Sequence, residues 1–323
     1  MGEASISDLN KRSVLKRAMV GVARGVVLPS IVRALRLLPV KAREYVFRQE
    51  ASEFGVATIS CDGELGTFEG DVHDQVIHAV YLATKTWAAE YMAIVRDRVL
   101  AQGGGTLIDV GGNIGLTSIP VARARNTVCH VFEPDPRNHA LLVRNAVANG
   151  VQSLVHAYNV AVMEHEGTFT LERSKDNMGD HRIRVAPATA GAYGEEGRTV
   201  VRVPGRPLDA CLADQPLAGP VVLKVDTQGA EAQVFRGAAA TLGRVDFVFA
   251  EYWPYGLRRM GDTPDSFFAA VSRFRYGGIV RGTAVPTLEP TPVLLDQLRA
   301  AIPPDGSTIA QVDIVLSQTP AIG

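Results

Sequence analysis

The stretch Leu107-Ile108-Asp109-Val110-Gly111-Gly112-Asn113-Ile114-Gly115 constrains this chain more than any other. A short apolar run reads as a buried strand, and it enters a glycine-rich turn and then a helix over Leu116–Arg125. Glycine allows a sharp turn and a close backbone approach to a ligand. The helix start that follows aims amide groups at that ligand.

Two ligand classes use such a turn. The dinucleotide fingerprint G-x-G-x-x-G, begun at Gly111, would need glycine at positions 113 and 116, where this chain has Asn113 and Leu116. The pattern is instead D-x-G-x-N-x-G, in which Asp109 puts a carboxylate at the strand end. A cationic ligand suits that site better than a pyrophosphate, and S-adenosylmethionine carries both a sulfonium and an ammonium. A nicotinamide-dependent oxidoreductase is the weaker alternative, and a non-catalytic cofactor-binding protein is another.

Downstream, strands alternate with helices. Strands are expected at Val128–Phe132, Leu154–Ala157, Val221–Val225 and Asp246–Ala250, with late ones at Ile279–Arg281 and Val312–Leu316. Thr168–Glu172 and Thr199–Val203 read as two further strands, antiparallel to each other, flanking a polar loop over 174–198. Helices are expected over Val72–Leu100, Pro136–Ala148, Ala230–Leu242 and Asp265–Phe274. This order implies a doubly wound α/β sheet with ligands at the carboxyl ends of its strands.

Three more segments fall at that edge. Glu133, in Val131-Phe132-Glu133-Pro134, is placed to accept hydrogen bonds from ribose hydroxyls. Asn159 and Ala161, in Asn159-Val160-Ala161-Val162, are candidates to face an adenine ring. Asp226, in Leu223-Lys224-Val225-Asp226-Thr227-Gln228-Gly229-Ala230-Glu231, ends another buried strand.

Together with Leu142-x-x-Asn145-Ala146-x-x-Asn149-Gly150, these motifs resemble the FkbM family of methyltransferases over roughly residues 65–255. The resemblance implies a class I methyltransferase, Rossmann-like sheet with an antiparallel strand near one edge. It also implies S-adenosylmethionine as cofactor and a hydroxyl acceptor on a sugar, polyketide or other secondary metabolite. On it, Asp109, Gly111, Asn113 and Gly115 would line the methionine and ribose part of the site, and Glu133 would hold the ribose. Asp226 and Glu231 fall on the family's D-x-x-G-A-E element, where Thr227-Gln228 replaces the usual V-E. The missing acid weakens the case for a magnesium ion beside Asp226, and no metal site is expected.

Methyl transfer to an alcohol is helped by a general base. The loop Asp176-Asn177-Met178-Gly179-Asp180-His181-Arg182 offers His181, with Asn177, Asp180 and Arg182 as substrate contacts. Glu251 is a second base candidate, and Tyr252 and Trp253 beside it are candidates for an aromatic acceptor wall.

Residues 1–50 carry ten Lys/Arg against four Asp/Glu, a net of +6, while the whole chain is at -1. The overall charge argues against nucleic-acid binding. Residues 1–50 are read as a helical, basic N-terminal extension and 51–323 as the methyltransferase domain, with its cofactor-binding core at about 103–255. Apolar residues recur at helical spacing over 11–38. That segment is expected to pack on the domain or on a second copy, with a membrane surface as the alternative. The three cysteines, Cys61, Cys129 and Cys211, form no C-x-x-C pair and fit a reducing cytoplasm.

Overall fold

The computed structural model of the protein describes residues 55–87, 94–96, 100, 104–185, 197–282 and 284–322. The segment 11–38 lies outside the described residues, as do 186–196 of the expected polar loop.

The chain enters with a hairpin, β1 (Thr58–Gly63) and β2 (Gly66–Asp71), and a helix, α1 (Ile77–Thr84). Then come β3 (Thr106–Val110), α2 (Ser118–Arg125), β4 (Val128–Phe132), α3 (Pro136–Ala148) and β5 (Val155–Tyr158). A smaller unit follows: β6 (Ala161–Val162), β7 (Gly167–Arg173), β8 (Arg182–Arg184), β9 (Thr199–Arg206) and the short α4 (Leu208–Cys211). The chain then returns through β10 (Val221–Val225), α5 (Glu231–Arg236), β11 (Phe247–Tyr252), α6 (Pro254–Arg259) and α7 (Pro264–Val271). It closes with β12 (Tyr276–Ile279), β13 (Glu289–Pro290), α8 (Thr291–Ala301) and β14 (Val312–Ser317).

Eight strands form one sheet in the order β13-β12-β14-β11-β10-β3-β4-β5. Strands β5, β4, β3, β10 and β11 run parallel, whereas β14 is antiparallel to both β11 and β12. This is the class I methyltransferase arrangement expected from the sequence. The winding direction reverses between β3 and β10, and a crevice opens there at the strands' carboxyl ends.

Every residue of β3 and β10 is buried. Their side chains alternate between two cores: Ile108, Val110, Leu223 and Val225 face one, and Leu107 and Val222 the other. On the second face Asp109 and Lys224 are register partners. Lys224 Nζ lies 3.1 Å from Asp109 Oδ1 and donates to the Gly111 carbonyl at 2.8 Å.

The asparagines of helix α3 have a structural use. Asn145 accepts from Glu69 N at 2.7 Å and donates to the Glu69 carbonyl at 3.0 Å. One turn on, Asn149 does the same for Thr67, at 3.0 and 2.6 Å. Two amides four residues apart thus satisfy the outer backbone of strand β2 and hold the hairpin against the domain.

Several expectations need correction. Of the helix expected over Val72–Leu100, the structure describes α1, capped by the Asp74 carboxylate and ended at Lys85 in the left-handed region, and helical residues at 94–96; residues 88–93 and 97–99 lie outside the described residues. The helix expected over Ala230–Leu242 stops at Gly237, where a Cβ would lie 2.1 Å from the Met163 carbonyl oxygen. The strand expected over Ile279–Arg281 sits earlier, at Tyr276–Ile279, and the sequence reading did not include α8, β13 or β8. No helix of the described residues is long and apolar enough to cross a membrane.

Replacing Lys224 by Met should leave Asp109 as an uncompensated buried charge and destabilise the fold by about 3 kcal/mol in urea titrations. Adding Asp109→Asn to Lys224→Met should recover part of that loss.

Candidate active site

The crevice at the β3–β10 reversal opens into a cavity of about 340 Å³. Gly111, with φ at +86°, forms its floor; a Cβ there would lie 1.9 Å from the Asp226 carbonyl oxygen. The glycine is required because two parallel strands end side by side and their exit turns touch.

Glu133 is buried and lines the cavity. Its two oxygens accept from Asn113 N at 2.9 Å and Asp135 N at 2.8 Å, so the carboxyl is locked in place. Burial pushes its pKa up to about 8, against the pull of these amide donors. Asn113 adopts a left-handed backbone, with φ at +50°, and its amide donates to the Met178 carbonyl at 2.7 Å. Asn138 donates to the same oxygen at 3.0 Å, and Asp74 accepts from Met178 N at 3.3 Å. These bonds fasten the 176–181 loop over the glycine turn. Asn177, Met178, Gly179 and His181 thereby line the cavity.

Beside Glu133 the lining is apolar: Phe132, Pro134, Val160, Ala161, Leu171 and Ile183. Beyond the glycine turn it becomes polar, with Lys224, Asp226, Gln228, Glu251, Gln311 and Asp313. Asp226 keeps 38% of its side chain exposed, lies 3.6 Å from Lys224 Nζ and accepts from Gln228 Nε2 at 2.9 Å. Gln228 reaches it from a left-handed backbone, with φ at +59°. Glu251 is buried, and its pKa is raised well above the ordinary carboxylate value by that burial and by the charges of Asp226, Glu231 and Asp313. Glu231 accepts from Thr227 N, Thr227 Oγ1 and Gly229 N at 2.9, 2.9 and 3.1 Å. It therefore shapes the turn after β10 and does not line the cavity. Among the described residues no group of His, Cys, Asp and Glu side chains could hold a metal ion.

The structure brings Gly111, Asn113, Glu133, Ala161, Asn177, His181, Asp226 and Glu251 to this one cavity. Other expected site residues lie elsewhere. Asp109 is fully buried behind the turn, and neither of its oxygens accepts a hydrogen bond. Its charge faces Lys224, not a ligand. Gly115 packs near Ile119 and Leu142. Asn159 donates to the Glu133 and Pro134 carbonyls at 2.9 and 3.0 Å, which fixes the backbone of the strand exit. Arg182 is 2% exposed, paired with Asp180 at 2.5 Å and set over the Trp253 ring at 4.9 Å. Asp180 also pairs with Arg198. Trp253 and Tyr252 are fully buried, Tyr252 against Phe267 and Phe268. The aromatic pair expected as an acceptor wall is therefore part of the core, packed on Phe267, Phe268 and Arg182.

His181 lines the cavity, but its Nδ1 accepts from Ser174 N at 3.2 Å. In the neutral ring the proton then sits on Nε2. Burial lowers its pKa, which favours that neutral form. The side chain presents a donor, not the lone pair a base needs.

The sequence reading had not assigned Lys224, Gln311, Asp313 or Trp87 to the cavity they line. Lys224 left a signal: a lysine within a strand buried on both faces requires a counter-charge.

Residues 109–266 match the family model for the methyltransferase FkbM domain. The chain carries an FkbM methyltransferase domain. Among solved structures, the FkbM methyltransferase of Methylobacillus flagellatus is 12% identical, over 66% of this chain and 43% of its own, with a TM-score of 0.33. The chain thus spans less than half the length of that protein. The precorrin-6y C5,15-methyltransferase of Geobacter metallireducens is 12% identical over 72% of this chain and 93% of its own, with a TM-score of 0.34. The geranyl diphosphate C-methyltransferase of Streptomyces coelicolor is 11% identical over 76% and 80%, with a TM-score of 0.37. At these TM-scores no residue role or acceptor carries across to the FkbM domain described here. No curated protein matches the chain.

Because its folded-state pKa is raised above 4.5, Glu133 contributes stability that is full below that pH and is lost as pH rises through about 8. Glu231 and Glu251 shift in the same direction. The ligand-free protein should therefore melt at a lower temperature at pH 8.5 than at pH 6, and Glu133→Gln should narrow that gap.

Proposed function

We propose that the protein is an S-adenosylmethionine-dependent methyltransferase that acts on a hydroxyl group of a small-molecule or glycan acceptor. The observation that carries this reading is the split lining of the cavity. A locked carboxyl, Glu133, stands between an apolar slot and a polar wall that carries three carboxyl groups and one lysine.

The residues fit that cofactor. Glu133 offers its remaining lone pairs to two ribose hydroxyls, and the slot formed by Pro134, Val160, Ala161 and Ile183 suits a flat base. The polar side holds Asp226, Glu251 and Asp313 against Lys224. That balance favours a sulfonium and an ammonium and disfavours a pyrophosphate. When bound, S-adenosylmethionine supplies a methyl group on an already activated sulfonium leaving group.

The strand order separates the roles. Glu133 ends β4 and Glu251 lies near the end of β11, three strands away, or about 14 Å. His181 sits beside the apolar slot, on the Glu133 side. Its place is therefore near the base end of the cofactor, and its Nε2–H can donate there. Asp226 is the cavity-facing carboxylate at the other side, oriented by Gln228 and Lys224. It takes the acceptor hydroxyl's proton, while the protein's main task is alignment of acceptor and methyl.

Calorimetry should show S-adenosylhomocysteine binding in preference to NAD; a preference for NAD overturns this reading. Ribose hydroxyls donate to ionised Glu133, so affinity should rise with pH, by up to about tenfold per unit between pH 6 and 8. In cells, Asp226→Asn should abolish a metabolite heavier by one CH2 that the intact gene produces, by about a hundredfold or more. The same change should leave homocysteine-product affinity within a few fold, whereas His181→Ala should weaken that affinity.

A further inference from the structure

Beside the 176–181 loop lies a second cavity, of about 230 Å³. It shares Asn138, Met178 and His181 with the cofactor cavity, but methyl transfer gives its cationic residues no task. Those cations come from three elements. Arg137 stands in the first turn of α3, Arg173 ends β7, and Lys175 follows in the loop. Arg173 and Thr199 are register partners, so the start of β9 joins the lining. A Cβ on Gly197 would lie 3.2 Å from Lys175 Nζ, which sets that ammonium against the same segment.

The charges around this cavity do not balance. Asp135 is fully buried and binds Arg173 Nε. It also caps α3, accepting from Arg137 N at 2.7 Å and Asn138 N at 3.2 Å, so its carboxylate is already answered. Asp71 is engaged by His73, with Nδ1 3.0 Å from its Oδ1. Arg137 and Lys175 are exposed, and their side chains form no hydrogen bond or ion pair among the described residues. The Nη groups of Arg173 form none there either. Two positive charges therefore remain at one cavity, which favours an anion. Arg173 is 17% exposed and anchored through Nε, so its guanidinium loses little freedom when an anion arrives.

We propose that this cavity binds the phosphoryl group of a small metabolite, and that the bound anion strengthens cofactor binding through the 174–181 loop. A phosphoryl group carries nearly two negative charges and three acceptor oxygens. It answers both uncompensated cations and accepts from the Arg173 fork, whereas a carboxylate would answer one charge. The coupling follows the chain. Ser174 N donates to His181 Nδ1, and the Met178 carbonyl accepts from Asn113 and Asn138. An anion held by Arg137, Arg173 and Lys175 fixes the base of this loop to α3, and the far end of the loop lines the cofactor cavity. The site goes beyond methyl transfer; only its coupling rests on the cofactor assigned above.

The test uses the full chain at constant ionic strength set with potassium chloride. Phosphorus NMR follows inorganic phosphate, with acetate as competitor, and calorimetry follows S-adenosylhomocysteine with and without saturating phosphate. Acetate should fail to displace phosphate. Arg137→Gln combined with Lys175→Gln should weaken phosphate binding by about tenfold or more, and Lys175→Gln alone by an intermediate factor. Both side chains are exposed and outside the cofactor cavity, so the double variant should keep its melting temperature and its phosphate-free affinity for S-adenosylhomocysteine. Saturating phosphate should tighten S-adenosylhomocysteine binding by about fivefold, with the same factor in the reverse direction, and the double variant should lose both effects. Displacement by acetate, or phosphate binding indifferent to both variants, would overturn the proposal. So would phosphate binding that leaves S-adenosylhomocysteine affinity unchanged or weaker, which would mark an adventitious ion only. Failure of S-adenosylhomocysteine to bind at all would strike the methyl-transfer reading instead, and the phosphate and acetate titrations would still decide the second site.

Discussion

The contact between Lys224 and Asp109 sits where everything else meets. They are cross-strand partners on β3 and β10, at the point where the winding of the sheet reverses. A lysine and an aspartate in strands buried on both faces are tolerable only as a pair. Lys224 also donates to the Gly111 carbonyl and lies beside Asp226. One ammonium therefore ties the glycine turn after β3 to the acidic turn after β10. The cavity floor, the close approach of Gly111 to Asp226 and the placement of the cavity-facing carboxylate all depend on that tie.

Around this point the protein fastens its cavity with backbone groups. Glu133 is held by two amides, the 176–181 loop by Asn113, Asn138 and Asp74, and the N-terminal hairpin by Asn145 and Asn149. Short polar side chains that each satisfy a specific backbone group leave little freedom for the loops they hold. Rigid walls of this kind suit a reaction whose main requirement is alignment. The polar side differs: Asp226 keeps 38% of its side chain exposed, and burial together with neighbouring carboxyl groups disfavours the charged form of Glu251.

The strands of the central sheet were legible because runs such as Val221–Val225 and Thr106–Val110 are apolar on both faces and are bounded by turn residues. Glu133, Asp226 and Glu251 were legible for a related reason. A carboxylate at the end of a buried strand has few structural uses, and strand ends in a parallel sheet share one edge. Elements with weak periodicity were not legible. Strand β8 has three residues, and β13 has two. Helix α5 ends early because Gly237 meets a carbonyl from a distant segment, which no local pattern records.

The sequence by itself determined the doubly wound sheet, the glycine turn and the carboxyl groups along its edge, because strand burial, turn chemistry and chain order are local properties. Only the tertiary structure decided which polar residues face the cavity. Arg182 and Trp253 close on each other, Asp109 takes Lys224 as its partner, and His181 accepts from Ser174 N and so presents a donor. Asp313, distant in sequence, arrives opposite Glu251 through an antiparallel pairing across β14. A residue's type says what it can bond to; the register and burial imposed by the fold say which of those bonds are already made.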